Sequence, residues 1–227
     1  MGIRFVIVTA FVAAALHASG CSTFNTARPL EPGQHAIAAT VGGPLLSVPG
    51  VGSIPMPHLT LEGRHGIAHH FDIGYGLHVL PLVFGDLGLH VGAAYQLNDQ
   101  PDALGPAVTI AEKVYGFSNI IDSRKAKHDL WGMSQTDLTA SWLFLDDQLF
   151  YGGGTVYFVF NNAGVYLAPF AGFQIDPGLD WLRIQVEGKW LAPYINQRFA
   201  VVDWIAPGDQ GAIVVNAGIA VVFGGGK

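Results

Sequence analysis

In Phe71-Asp72-Ile73-Gly74-Tyr75-Gly76-Leu77-His78-Val79, every odd position is large and apolar and every even one is polar or glycine. The same parity runs through Leu87-Gly88-Leu89-His90-Val91-Gly92-Ala93-Ala94-Tyr95-Gln96-Leu97. Successive side chains on a strand point to opposite faces, so each run carries one apolar face and one polar or small face. Leu182, Ile184, Val186, Gly188 and Trp190 alternate with Arg183, Gln185, Glu187 and Lys189, and Leu138, Ala140, Trp142 and Phe144 form a further stripe. A soluble sandwich has the same period, so length must discriminate. Several runs reach about 9–11 residues, the length a tilted strand needs to cross a bilayer, where ordinary strands run to about 5–6.

Ten candidate strands follow, near residues 35–43, 57–65, 70–79, 85–97, 105–116, 130–144, 149–160, 164–175, 179–192 and 211–223. The long irregular links, 44–56, 117–129 and 193–210, are all odd-numbered, whereas the even ones, 66–69, 98–104, 145–148 and 176–178, are short. Transmembrane barrels have short periplasmic turns, longer external loops and an even strand number. The expectation is therefore an all-β, antiparallel, up-and-down transmembrane β-barrel of about ten strands, with eight as the alternative. Gln148 to Ile175 lacks Asp, Glu, Lys and Arg, but Gly152-Gly153-Gly154, Asn161-Asn162-Ala163-Gly164 and Pro169 interrupt it. It therefore reads as a hairpin with two apolar faces, not as a membrane helix.

Charged residues make up only 12 % of the chain, against about 25 % in soluble domains. The net charge of −6 supplies no basic surface to neutralise phosphates, so nucleic acid is not an expected partner.

The chain opens as an export signal over residues 1–20: Arg4 supplies the positive start, Phe5 to Leu16 the apolar core, and Ala18-Ser19-Gly20 the cleavage zone. The apolar core is about a dozen residues long, too short for the roughly 20 of a spanning helix. Cys21 is the only cysteine, so no internal disulfide forms. Residues 21–34, with two prolines, a glycine and no apolar period, read as a tether, and residues 35–227 as one barrel domain.

The stretch Glu62-Gly63-Arg64-His65-Gly66-Ile67-Ala68-His69-His70-Phe71-Asp72-Ile73-Gly74 resembles a hairpin common in bacterial outer-membrane β-barrel proteins. There, one strand ends in Arg-aromatic-Gly-Leu/Ile and the next opens with Asp-Leu/Ile-Gly; here His65 replaces the aromatic. Thr26-Ala27-Arg28-Pro29-Leu30-Glu31-Pro32-Gly33 resembles the lead-in segment of lipidated members, and His17-Ala18-Ser19-Gly20-Cys21 resembles a lipoprotein signal with Ala18 at the usual leucine position. The resemblance implies a barrel in the outer membrane of a Gram-negative bacterium, with lipid (palmitate among its chains) on Cys21, or an ordinary cut after Gly20. It also implies outer-membrane lipid and the export and barrel-assembly machinery as partners. It names no activity.

The lumen-facing candidates are Asp72, His78, Asp86, His90, Arg183, Glu187 and Lys189, lining either a polar passage or a plug of paired charges. His58, His65, His69, His70, His78 and His90 are crowded into one third of the chain, but His78 and His90 stand at different heights and His69 and His70 in a turn, so no metal site is expected. Barrel enzymes acting on lipid A or protein have this architecture, and Ser118, Asp122, Ser123 and His128 share one external loop, but without a spacing signature. No catalytic residue and no cofactor is therefore assigned. Trp131, Trp142, Trp181, Trp190, Tyr95, Tyr151 and Tyr157 are candidates for interfacial girdles or, equally, for ordinary core packing. The functional expectation is an outer-membrane barrel lipoprotein with a structural, narrow-channel or small-ligand-binding role. The alternatives are a barrel enzyme of the envelope and a soluble lipid-anchored β-sandwich.

Overall fold

The computed structural model describes residues 23–48, 52–100, 105–120, 130–144, 148–161, 163–197 and 203–225. Its strands are β1 (Gln34–Val48), β2 (Gly52–Pro55), β3 (His58–Ala68), β4 (Phe71–His78), β5 (Asp86–Asn98), β6 (Ala107–Asn119), β7 (Leu130–Phe144), β8 (Gln148–Val159), β9 (Gly164–Ile175), β10 (Leu182–Asn196) and β11 (Gln210–Gly224). Each pairs antiparallel with the next along a ring from β3 to β11. β11 then pairs with β1, from Gln34↔Gly224 to Pro44↔Val214, and β1 with β3, from His35↔His65 to Gly42↔His58. The ring closes with ten strands, as the alternation implies, and leaves no sheet edge to pair with lipid or another chain.

The barrel is inside-out relative to a soluble domain. Gln135, Asp137 and Thr139 point inward and are 0 % exposed, whereas Ile37 and Val91 point outward at 60 % and 61 %. The outward stripe continues through Ile73, Tyr75, Leu89, Leu138, Val156, Leu167, Val186 and Ile219. A sandwich would bury that stripe against its second sheet, so the soluble alternative does not fit this molecule.

Three expectations are corrected. The link 44–56 is not wholly irregular: β1 runs on to Val48, and Leu45–Val48 pair with β2 as a short hairpin outside the ring. That extension also meets the β10–β11 link, through Ser47 N to Asp203 O at 2.8 Å and Ile205 N to Leu45 O at 2.8 Å. Periodicity does not reveal this hairpin because its pairing is made by backbone groups rather than by a buried apolar face. Tyr151 and Tyr157 are not girdle residues: both face the lumen, almost completely buried, because β8 is apolar on both faces and polarity alone does not tell its inside from its outside. Finally, the tether is no free spacer. Thr23, Asn25, Thr26, Ala27 and Leu30 are buried inside the barrel. Residues 1–20 and Cys21 lie outside the described residues.

Candidate functional site: the lumen and the segment that fills it

Both ends of the ring, Gln34 and Gly224, lie at the same end, here the terminal end, with the turns β3–β4, β5–β6, β7–β8 and β9–β10. From Gln34 the chain turns back into the lumen and climbs towards the far end. Leu30 N donates to Asp72 Oδ2 at 2.9 Å, Thr109 Oγ1 to Ala27 O at 3.1 Å, and Lys113 Nζ to Phe24 O at 2.8 Å. Asn25 lies at the centre. Its backbone N donates to Glu187 Oε2 at 3.1 Å, its Nδ2 donates to Thr155 Oγ1 at 2.9 Å, and its Oδ1 accepts from Lys189 Nζ. Highest up the lumen, Thr23 O accepts from Lys189 Nζ at 2.9 Å. Tyr115 OH donates to Gln135 Oε1 at 2.7 Å, so the 2.6 Å contact between Thr23 Oγ1 and Tyr115 OH has Thr23 as its donor.

The wall is shaped for this segment. A Cβ on Gly218 would stand 2.6 Å from Phe24 Cε2, and one on Gly66 would overlap the Glu31 carbonyl oxygen. Glycine at these two positions lets the segment pass close to the strands. What remains open beside it is small: a cavity of about 40 Å³ between Phe24, Leu30, Arg64 and Gln185, and one of about 10 Å³ between Glu62, Asp72, His90 and Lys113. Such volumes hold a water molecule or two. A separate cavity of about 500 Å³ lies at the far end, walled by apolar Val41, Leu45, Leu59, Leu80 and Val215.

Five of the seven candidates fall into three groups. Glu187 and Lys189 pair at 3.2 Å, both buried, and hold Asn25. Asp72 pairs with Arg64 and takes the Leu30 N–H near the terminal end. His78 and His90 belong to a ladder: His58 Nε2 to His78 Nδ1 is 3.1 Å, and His78 Nε2 to His90 Nδ1 is 3.2 Å. His90 Nε2 lies 3.5 Å from Glu62 Oε2, which is itself 3.5 Å from Lys113 Nζ. These histidines do converge, contrary to the sequence expectation, but as a row of paired nitrogens and not around one point. Asp86 and Arg183 sit towards the two ends of the lumen: Asp86 accepts from Asn119 Nδ2 at 2.9 Å at the far rim, and Arg183 Nε faces Asp176 Oδ2 at 3.7 Å.

Sequence reasoning weighed His58 only among the clustered histidines and missed Glu62, Lys113, Gln135 and Asp137 as lumen residues. The inward parity that selects Asp72 and His78 on β4 also selects His58, Glu62 and Arg64 on β3, so the signal was present. For Thr23 to Leu30 there was none, because a segment without a period declares no face. Ser118 is half-buried on β6, paired with Leu87 and Leu130, while Asp122, Ser123 and His128 lie outside the described residues. The described residues thus assemble no nucleophile and base there.

No protein family and no curated protein matches the chain. Solved structures do. The chain is similar to the translocator domain of the autotransporter NalP from Neisseria meningitidis, at 11 % identity and a TM-score of 0.43, covering 97 % of this chain and 98 % of that one. It is similar to Ail, the attachment invasion locus protein of Yersinia pestis, at 12 % identity and 0.29, covering 85 % and 99 %. It is also similar to the anion-selective porin from Comamonas acidovorans, at 11 % and 0.36, covering 86 % of this chain but 57 % of the porin. The closed ring, the apolar belt and the polar lumen give this chain the architecture of the bacterial outer-membrane β-barrels.

Proposed function

We propose that this protein is an outer-membrane barrel with a narrow polar passage, closed by its own segment Thr23 to Leu30, and that the terminal end faces the periplasm. The observation that carries this reading is the nature of the contacts holding the segment. They are chiefly hydrogen bonds between polar groups that water can replace, beside the smaller apolar contacts of Ala27 with Tyr151 and Phe170 and of Leu30 with Ala36 and Val222. Each such bond contributes about 1 kcal/mol net. Ordering each residue of the segment costs about 1–2 kcal/mol. The two terms are of similar size, so the segment is held closely yet stands near balance between lumen and solvent. An apolar plug would not release in this way.

The test is conductance in planar bilayers. The full chain should be closed, and a variant lacking residues 22–31 should show stepwise conductance while still shifting its gel mobility on heating, as closed barrels do. A folded deletion variant that stays silent would refute the passage and leave a structural role.

Lipid on Cys21 belongs to the same proposal and bears directly on the plug. Tyr115, which holds Thr23, is eight residues along β6 from Ala107 at the terminal end, about 26 Å along the strand and about 20 Å in height at a barrel tilt of about 35–45°. Two residues reach at most about 7 Å. A lipid held in the periplasmic leaflet and Thr23 in its observed place therefore exclude one another. Lipidated protein should conduct more than Cys21→Ser protein in the same bilayer, and equal conductance would separate the lipid from the gate.

A further inference from the structure

The β3–β4 turn and the β5–β6 link bring three metal-ligating side chains together at the terminal end: His69, His70 and Asp99 each offer an atom within 4.8 Å of the others. His70 is the fixed member. Its φ of 65° is left-handed, an unusual conformation for a non-glycine residue, and its carbonyl accepts from Gln96 N at 2.9 Å. The turn thus directs the imidazole towards the link, where Nε2 meets Asp99 Oδ1 at 2.8 Å. Asp99 is steadied by Gln96 Nε2, which donates to the same oxygen at 3.1 Å, and by Asn98 Nδ2, which donates to its carbonyl at 2.8 Å. The His69 ring stacks on that of His70, with centroids 3.8 Å apart. Its Nδ1 faces Glu31 Oε2 at 3.6 Å, which turns Nε2 the other way.

We propose that His69, His70 and Asp99 bind a zinc-like divalent cation, with Glu31 as the outer carboxylate that orients His69. Two imidazoles and one carboxylate form a donor set for zinc and its neighbours, not for magnesium or calcium, which take oxygen ligands. Tetrahedral bonds of about 2.0–2.2 Å put ligand atoms about 3.3–3.6 Å apart. Binding would draw the exposed His69 and Asp99 side chains from within 4.8 Å to that spacing, the bond between His70 and Asp99 giving way to two bonds to the metal. Water completes the shell at this exposed position. A carboxylate behind a ligating histidine fixes the ring and raises its basicity, and its loss lowers affinity about 10- to 100-fold at ordered sites. Glu31 lies at the mouth of the lumen segment, so the bound cation would join two turns and the base of that segment. Binding itself does not depend on the gating reading, since a barrel that never opens would bind the metal equally well.

Titration calorimetry of the full chain in detergent with Zn²⁺ alone is the test. The expected result is one site per chain at micromolar affinity or tighter. His70→Asn, chosen because asparagine tolerates a positive φ, and Asp99→Asn should each weaken it at least tenfold, and Glu31→Gln less. Heat-modifiable gel mobility reports folding. If His70→Asn does not fold, His69→Gln and Asp99→Asn carry the comparison from exposed side chains. A wild-type chain that takes up no Zn²⁺, or folded variants that bind as tightly as wild type, would overturn the proposal, the latter by moving the binding to other histidines.

Discussion

The two sides of the lumen are filled by different means. Along β3 to β5 the wall fills its own space: His58, His78 and His90 pair with one another, and Gly76 makes room for the His90 ring, which a Cβ there would strike. Along β1 and β11 several inward residues are small, with Ala36, Ala38, Gly218 and Ala220 lining the same small cavity as Phe24 and Leu30. There the space is taken by Thr23 to Leu30, anchored across the lumen on β6, β8 and β10. One side is closed by side chains of the wall itself, the other by a separate piece of chain, which in the proposed function is the removable part. A barrel of this size can therefore be solid without being permanently so, which eight strands packed with their own side chains cannot be.

The largest expected effect comes from breaking the pair on which the segment rests. Lys189→Met strands Glu187 in a buried site and removes the donor to Thr23 and Asn25, and should cost about 3–5 kcal/mol in urea unfolding from detergent. A loss below 1 kcal/mol would show that water already reaches the pair. Next, Gly218→Val drives a side chain against the Ala39 carbonyl oxygen of the wall and into the Phe24 ring. It should cost about 1–3 kcal/mol and raise the open fraction in bilayers, because Phe24, the side chain of the two groups it meets, belongs to the segment. Unchanged conductance there would mean that the segment shifts without leaving. Smallest, His78→Ala removes the middle rung of the ladder and leaves His58 and His90 each short of a partner. A lumen water in the place of the lost ring can bond to both His58 and His90, so about 1 kcal/mol is expected, with conductance at the wild-type level. A conducting His78→Ala variant would erase the distinction between the fixed and the removable side.

Much of the fold was legible because a barrel strand is read by one local rule. Where the two faces differ in polarity, as on β4, β5 and β10, both the strand and its inside follow from alternation. Where both faces are apolar, as on β8, the strand was still evident but Tyr151 and Tyr157 were turned the wrong way. Parity selects lumen candidates by face, yet gives no height. Asp72 and His78 share a face of β4 but stand near opposite ends, one holding the Leu30 N–H and the other a histidine ladder.

By itself, the sequence determined an antiparallel barrel of about ten strands, the alternating link lengths, the apolar exterior and the polar interior, because period and run length are properties of adjacent residues; ring closure decided ten over eight. Only the tertiary structure decided what fills the interior. Asn25 meets Glu187 across a sequence separation of 162 residues, and Thr23 meets Tyr115 across 92. The same holds for His70 and Asp99, brought together by two turns at one end of the ring. Contacts of this kind are set by strand register and closure, which no local pattern encodes.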